Sequence, residues 1–119
     1  METNRKRIDL DYLKEISNGS NEFVYQMISV FTEEIPGEID NLEKHLQNKD
    51  WKSLRATAHK MKPSYSFMGV KELEEMVHNV EEFSDDESGK DQLPGLIQNI
   101  RKITEEVFVE LQKEKKNFE

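Results

Sequence analysis

Between Asp50 and Gly69 the chain reads DWKSLRATAHKMKPSYSFMG, in which His59 stands among lysines and no acid follows Asp50. On a helical wheel Lys52, Arg55, His59, Lys62 and Ser66 succeed one another at steps of three or four, so they form one row. Beside it Leu54, Ala58, Met61, Tyr65 and Met68 form an apolar row, which turns the first row toward water. A solvent-facing imidazole is a nucleophile that a visiting protein can reach. Lys62, one turn further on, is placed to approach an anionic group bonded to that ring; Lys60 lies at the flank. A unit charge about 7 Å away in a water-like medium is worth only ~0.6 kcal/mol. The cations therefore act mainly by steering an acidic partner and pairing with the anionic group.

Composition supports a surface site on a folded domain. The 119 residues suffice for one domain spanning 1–119, with 35% charged and 34% hydrophobic residues, the latter at regular intervals. The formal net charge of −8 argues against nucleic acid as a partner. From Trp51 to Lys71 there are five cations (Lys52, Arg55, Lys60, Lys62, Lys71) and no acid; 17 basic residues less these five leave 12 against 25 acids elsewhere. One basic patch thus interrupts an acidic field. The lack of cysteine excludes disulfides, thiolate metal sites and a cysteine nucleophile. No apolar run reaches the roughly 20 residues of a membrane span and no signal-peptide core follows the N-terminus, so the expected location is cytoplasmic. The initiating Met1 and the lack of a domain linker lean toward a free-standing protein.

The elements that must hold this site all read as helical. A short helix over about 9–17 stops at Asn18-Gly19, and Ser20 or Asn21 caps the next. That second helix, about 21–48, carries Phe23, Met27, Phe31, Ile35, Ile39, Leu42 and Leu46 inward and keeps its phase across Pro36, where a kink is expected. Asp50 caps a third helix over about 50–68, which Gly69 ends. A fourth, about 71–83, turns Leu73, Met76, Val77 and Val80 inward, and SDDESGK follows as a polar loop. A fifth, about 91–113, accepts Pro94 in its first turn and buries Leu93, Ile97, Ile100, Ile103, Val107 and Leu111. The tail KEKKNFE is expected to fray. The expected fold is all-α: an antiparallel up-down-up-down four-helix bundle with a short N-terminal capping helix.

Taken with that bundle, the stretch AHKMKPSYSFMG closely resembles the signature of the histidine phosphotransfer (HPt) family of two-component phosphorelays. In that family a histidine is followed at +3 by lysine, usually at +4 by glycine, often at +5 by serine or another small residue, and at +10 by glycine. His59, Lys62, Ser64 and Gly69 match, together with Ala58, Met61 and the helix start Asp50-Trp51. Helix order extends the likeness over about residues 8–112. Pro63 departs from it, because its ring is larger than glycine and its nitrogen cannot bond the His59 carbonyl, at a propensity cost of roughly 3 kcal/mol relative to alanine.

The resemblance implies a phosphoryl carrier, with no kinase activity of its own, that takes the group onto Nε2 of His59 from an aspartate of a receiver domain. Lys62 would stabilise the phosphoryl oxygens, and Lys52, Arg55, Lys60, Pro63, Ser66 and Gly69 would meet the partner. The partners would be receiver domains of a hybrid sensor kinase and/or a response regulator. The chain would bind no cofactor itself, the receiver would supply Mg²⁺, and a monomer is expected. Two other readings compete. A helical adaptor that binds a receiver or another acidic partner without accepting phosphate would carry the same basic patch. A metal site would use Glu75 and His78, whose E-x-x-H spacing occurs in carboxylate bundles; it would need a second copy and further inward glutamates. His45, His78 and the acidic runs at 33–34, 74–75 and 105–106 otherwise read as solvated faces.

Overall fold

The computed structural model describes residues 7–119, and among these there are five α-helices and no strand: α1 Asp11–Ile16, α2 Asn21–Gln47, α3 Trp51–Phe67, α4 Lys71–Ser84 and α5 Leu93–Lys115. α2 packs on α3 and α5, and α4 packs on the same two helices, which closes a four-helix bundle. Cross-helix pairs set the direction: Glu38 meets Lys60 while Val30 and Phe67 line one crevice, and Glu43 meets Arg101 while Tyr25 meets Lys115. In each set residue numbers fall along one helix as they rise along the other, so α2 runs antiparallel to both neighbours.

Capping residues fix where the helices start. Ser20 Oγ accepts from the Phe23 amide at 3.1 Å, and Asp50 Oδ1 accepts from the Ser53 amide at 3.2 Å. Asn18 and Gly19 both have positive φ, as a tight stop after α1 requires. The first helix is shorter than the expected 9–17, because Ile8 and Leu10 are buried ahead of it and Asp9 donates its amide to the Met68 carbonyl at 3.1 Å. α2 runs unbroken through Pro36.

The core is made of the expected stripes, with shifts of phase. On α3, Leu54, Ala58, Met61, Tyr65 and Met68 are all buried. On α2, Val24 and Ile28 take the inward positions expected of Phe23 and Met27; Phe23 is 37% exposed, and Met27 and Leu46 are half-buried. The buried row 24, 28, 31, 35, 39, 42 keeps steps of three and four, whereas 23 and 27 lie one position round the helix. Met76 on α4 is likewise only half-buried.

On α5, Thr104 rather than Ile103 is fully buried, because its hydroxyl meets the Tyr65 hydroxyl at 2.9 Å. Phe31 packs edge-on against both Tyr65 and Phe108. Burial pushes the Tyr65 phenol up to about 12, against the opposing bond from Thr104. Since the folded value exceeds the unfolded one, this contribution is intact below about pH 10 and is lost as pH rises toward the folded value. Tyr65→Phe is expected to cost about 1–2 kcal/mol in a denaturant melt, since it strands the Thr104 hydroxyl. It should also flatten the loss of stability above pH 10.

The expected polar loop and the tail expected to fray both take up regular structure. SDDESGK enters a 3-10 segment, Glu87–Gln92, in which Gly89 is buried so tightly that a Cβ would come within 2.7 Å of the Phe83 ring. α5 consequently starts at Leu93, with Pro94 in its first turn. The tail does not fray: α5 continues to Lys115, Lys116–Phe118 forms a 3-10 turn, and Phe118 is buried with Lys14 Nζ 5.7 Å from its ring centroid. Its single aromatic outweighs the charged composition around it. No helix among the described residues is long and apolar enough to cross a membrane.

Candidate functional site

α3 carries the candidate site on its outer ridge. Lys52, Arg55, His59, Lys60, Pro63 and Ser66 are exposed and Lys62 is half-buried, while the helix remains continuous through Pro63. The His59 side chain is 68% exposed, whereas its neighbour Ala58 is fully buried. The apolar row therefore anchors α3 and aims the imidazole outward.

α4 supplies what the row on α3 alone does not reveal. Glu81, only 15% exposed, brings Oε2 to 2.9 Å from His59 Nδ1 and Oε1 to 3.0 Å from Lys62 Nζ. Burial pushes the Glu81 carboxyl up, but the contacts from Lys62 and His59 outweigh it and hold the group below its usual range. Glu81 is thus ionised at neutral pH and can only accept, so the hydrogen in the 2.9 Å contact belongs to His59 Nδ1. In the neutral ring that leaves the lone pair on Nε2, at the exposed edge.

Lys62 is held from two sides. Its Nζ donates to His78 Nδ1 at 3.4 Å, and His78 Nε2 in turn donates to Glu82 at 3.3 Å, one consistent tautomer for His78. With 27% of its side chain exposed, Lys62 forms a fixed cation beside the histidine rather than a loose one.

Two further cations of the ridge are also paired. Arg55 meets Asp85 of α4 at 3.1 Å and Lys60 meets Glu38 of α2 at 2.7 Å. The patch expected to be bare and cationic is therefore largely neutralised by acids from both neighbouring helices, and its outward field is weaker than its sequence implies. Lys52 shares a shallow groove with Arg55, His59, Glu81 and Asp85. The α3–α4 pairs run 55 with 85, 59 with 81 and 62 with 78, the order of an antiparallel helix pair.

Gly69 has a structural assignment. It lies beyond the C-terminal end of α3 with φ +67°, and a Cβ there would overlap the Asp9 carbonyl and come within 2.7 Å of Asp9 Cβ. The need for glycine is thus explained inside the molecule, without a partner. His78, one half of the alternative metal reading, spends both nitrogens on Lys62 and Glu82. Among the described residues no three His, Asp or Glu side chains are placed to hold a metal ion.

An apolar rim flanks this ridge. Phe67 at the end of α3 stacks on Tyr12 of α1 with ring centroids 5.9 Å apart, and it lines a crevice with Met27 and Val30 of α2. Tyr12, Phe23 and Val30 are exposed. The outward turn of Phe23 and Met27 described above is what extends this surface.

With this geometry in place, the comparisons with known proteins are consistent with one another. The Hpt domain family model matches residues 26–111, and the chain belongs to that family of phosphorelay carriers, which exchange phosphoryl groups with receiver domains. It is 26% identical over 118 residues to the phosphorelay intermediate protein rdeA of Dictyostelium discoideum, covering 98% of this chain and 46% of that protein. The chain thus spans about half the length of that curated relative. The crystal structure of histidine-containing phosphotransfer protein B from Pseudomonas aeruginosa PAO1 superposes with a TM-score of 0.83 at 24% identity, over 95% of this chain and 97% of the other, and so has the same fold.

Proposed function

We propose that this Hpt chain accepts a phosphoryl group on Nε2 of His59 from a receiver-domain aspartate and passes it to another. The observation that carries this reading is the tied-down ring: Nδ1 is held by Glu81 while 68% of the side chain stays open to solvent. Transfer needs the nucleophile, phosphorus and leaving oxygen in line, and a ring with one nitrogen fixed presents the other in a defined direction. Lys62, already beside the ring, needs only to turn from Glu81 to pair with the incoming oxygens.

The receiver brings Mg²⁺ and the rest of the catalytic constellation, and this chain binds no cofactor and has no kinase activity of its own. Docking uses Lys52, Arg55, Lys60, Pro63 and Ser66 together with the apolar rim of Tyr12, Phe23, Met27, Val30 and Phe67. The partners are receiver domains of a hybrid sensor kinase and/or a response regulator, met in the cytoplasm by a monomeric carrier. Incubation with a phosphorylated receiver and Mg²⁺ should label the chain. Lys62→Ala should slow that labelling by roughly ten- to a hundredfold while leaving the melting curve in place. A chain that stays unlabelled across a panel of receivers would rule out the carrier role, and unchanged kinetics in Lys62→Ala would remove the lysine from it.

A further inference from the structure

His78 holds Lys62 in a way that depends on its own protonation. An ammonium can only donate, so the 3.4 Å contact from Lys62 Nζ to His78 Nδ1 exists only while that nitrogen offers a lone pair. Nε2 then bears the hydrogen and faces the Glu82 carboxylate at 3.3 Å. The contact therefore requires a neutral ring. A proton taken up at Nδ1 would set cation against cation and end it. Although Glu81 Oε1 lies 3.0 Å from Lys62 Nζ, no donor among the described residues is aligned on that oxygen, so the aligned contact of the ammonium is the one to His78.

The surroundings leave this ring free to titrate, since 48% of its side chain is exposed to water. Of the charged groups facing it, α3 presents Lys62 and α4 presents Glu82, with Lys71, Glu74 and Glu75 around the same groove. Among the described residues, α5 and the 87–92 segment bring no charged side chain into that groove. The register of α3 on α4 sets the direction of release. Position 59 stands opposite 81 and 62 opposite 78, so an ammonium repelled from His78 moves toward Glu81 and the His59 end of the cleft.

Resting on the phosphotransfer reading, we infer that His78 is a positioning residue: its neutral ring parks Lys62 away from His59, and its protonated ring releases the lysine to the phosphoryl oxygens. The proton comes from solvent and returns to it, and no bond of the transfer itself changes. A phosphoryl group on His59 also draws Lys62 off, so the two events support each other. Linkage makes this reciprocal: protonation of His78 favours the loaded state by the factor by which loading tightens its hold on the proton.

The first test follows the ring nitrogens of His78 in ¹H–¹⁵N spectra of the wild-type chain from about pH 5.5 to about pH 8.5, before and after loading from a phosphorylated receiver. The titration midpoint should rise by about half a unit or more on loading. His45, near the C-terminal end of α2, is the internal reference. In Lys62→Ala the rise should shrink to about half or less, because no parked cation remains to be withdrawn. The second test compares loading rates of wild type and His78→Gln, whose amide oxygen can still hold Lys62 but takes no proton. The ratio of wild type to variant should grow about threefold or more from about pH 8.5 to about pH 6. Titration of His59 is common to both chains and divides out of that ratio, which should stay flat in a Lys62→Ala background. A His78 midpoint that loading leaves in place, a rise undiminished in Lys62→Ala, or a ratio independent of pH with Lys62 present would overturn this inference and leave His59 standing as acceptor. A wild-type chain that takes no label would overturn both.

Discussion

His59→Gln will accept no phosphoryl group from a phosphorylated receiver under conditions that label the wild-type chain fully, a loss of at least about a thousandfold in rate. Glutamine approximates the ring in size and offers an amide to Glu81, but it has no nitrogen lone pair available to attack phosphorus. The side chain is 68% exposed, so the substitution should leave stability within about 0.5 kcal/mol. Loss of labelling can then be assigned to chemistry, with a melting curve as the control. His45 and His78 remain in the variant and report on the alternative acceptors directly. Residual labelling at the wild-type rate would move the acceptor to one of them.

The second large effect is structural. Gly69→Ala should cost about 2–4 kcal/mol and lower the melting temperature by roughly 8–15 °C, because two penalties coincide. One is the backbone: φ is +67°, a region that alanine occupies only with strain. The other is space, since the new methyl would overlap the backbone carbonyl of Asp9, whose amide is bonded to Met68. That carbonyl cannot swing aside as a flexible side chain would. Well below its melting point the variant should still accept label at the wild-type rate, because Gly69 lies beyond the end of α3 and the helix from His59 to Phe67 alone spans about 12 Å along its axis. Slow transfer by folded Gly69→Ala would return the glycine to the docking surface. An unchanged melting temperature would refute the packing argument.

The candidate ridge is legible in the sequence because it lies along one helix: the steps from Lys52 through Ser66 need only a wheel. Glu81 is not, because its role depends on how α3 and α4 are registered, and nothing local distinguishes it from Glu74, Glu75 or Glu82. A signal is nevertheless present. Read backwards, positions 85, 81 and 78 on α4 repeat the spacing of 55, 59 and 62 on α3, and an antiparallel pairing of the two rows sets Asp85 against Arg55 and Glu81 against His59. The same dependence on neighbours explains the shifted phase of α2. Phe23–Met27 and Val24–Ile28 are both four apart, both lead into Phe31, and only the surrounding helices choose between them. Thr104 escapes a periodicity argument because a hydroxyl belongs in a core only when a partner such as Tyr65 is already known to be there. Phe118 escapes it because composition averages over a tail in which one ring does the anchoring.

Pairing on the ridge also changes how recognition is understood. With Arg55, Lys60 and Lys62 each facing a carboxylate, long-range attraction contributes less than five unbroken cations suggest. On the docking surface proposed above, affinity for a receiver would then fall more heavily on the apolar rim, where Phe67 and Tyr12 already stack and Val30 is open. Salt should accordingly weaken docking only modestly.

In the proposed function one atom, Nε2 of His59, carries the phosphoryl group. Phosphorus–nitrogen correlation spectra of the ¹⁵N-histidine-labelled chain, recorded after loading from a phosphorylated receiver, locate that bond directly. The expected result is a single phosphoramidate signal coupled to His59 Nε2, with Nδ1 still bearing hydrogen. Coupling to Nδ1, or to a ring other than His59, would contradict it.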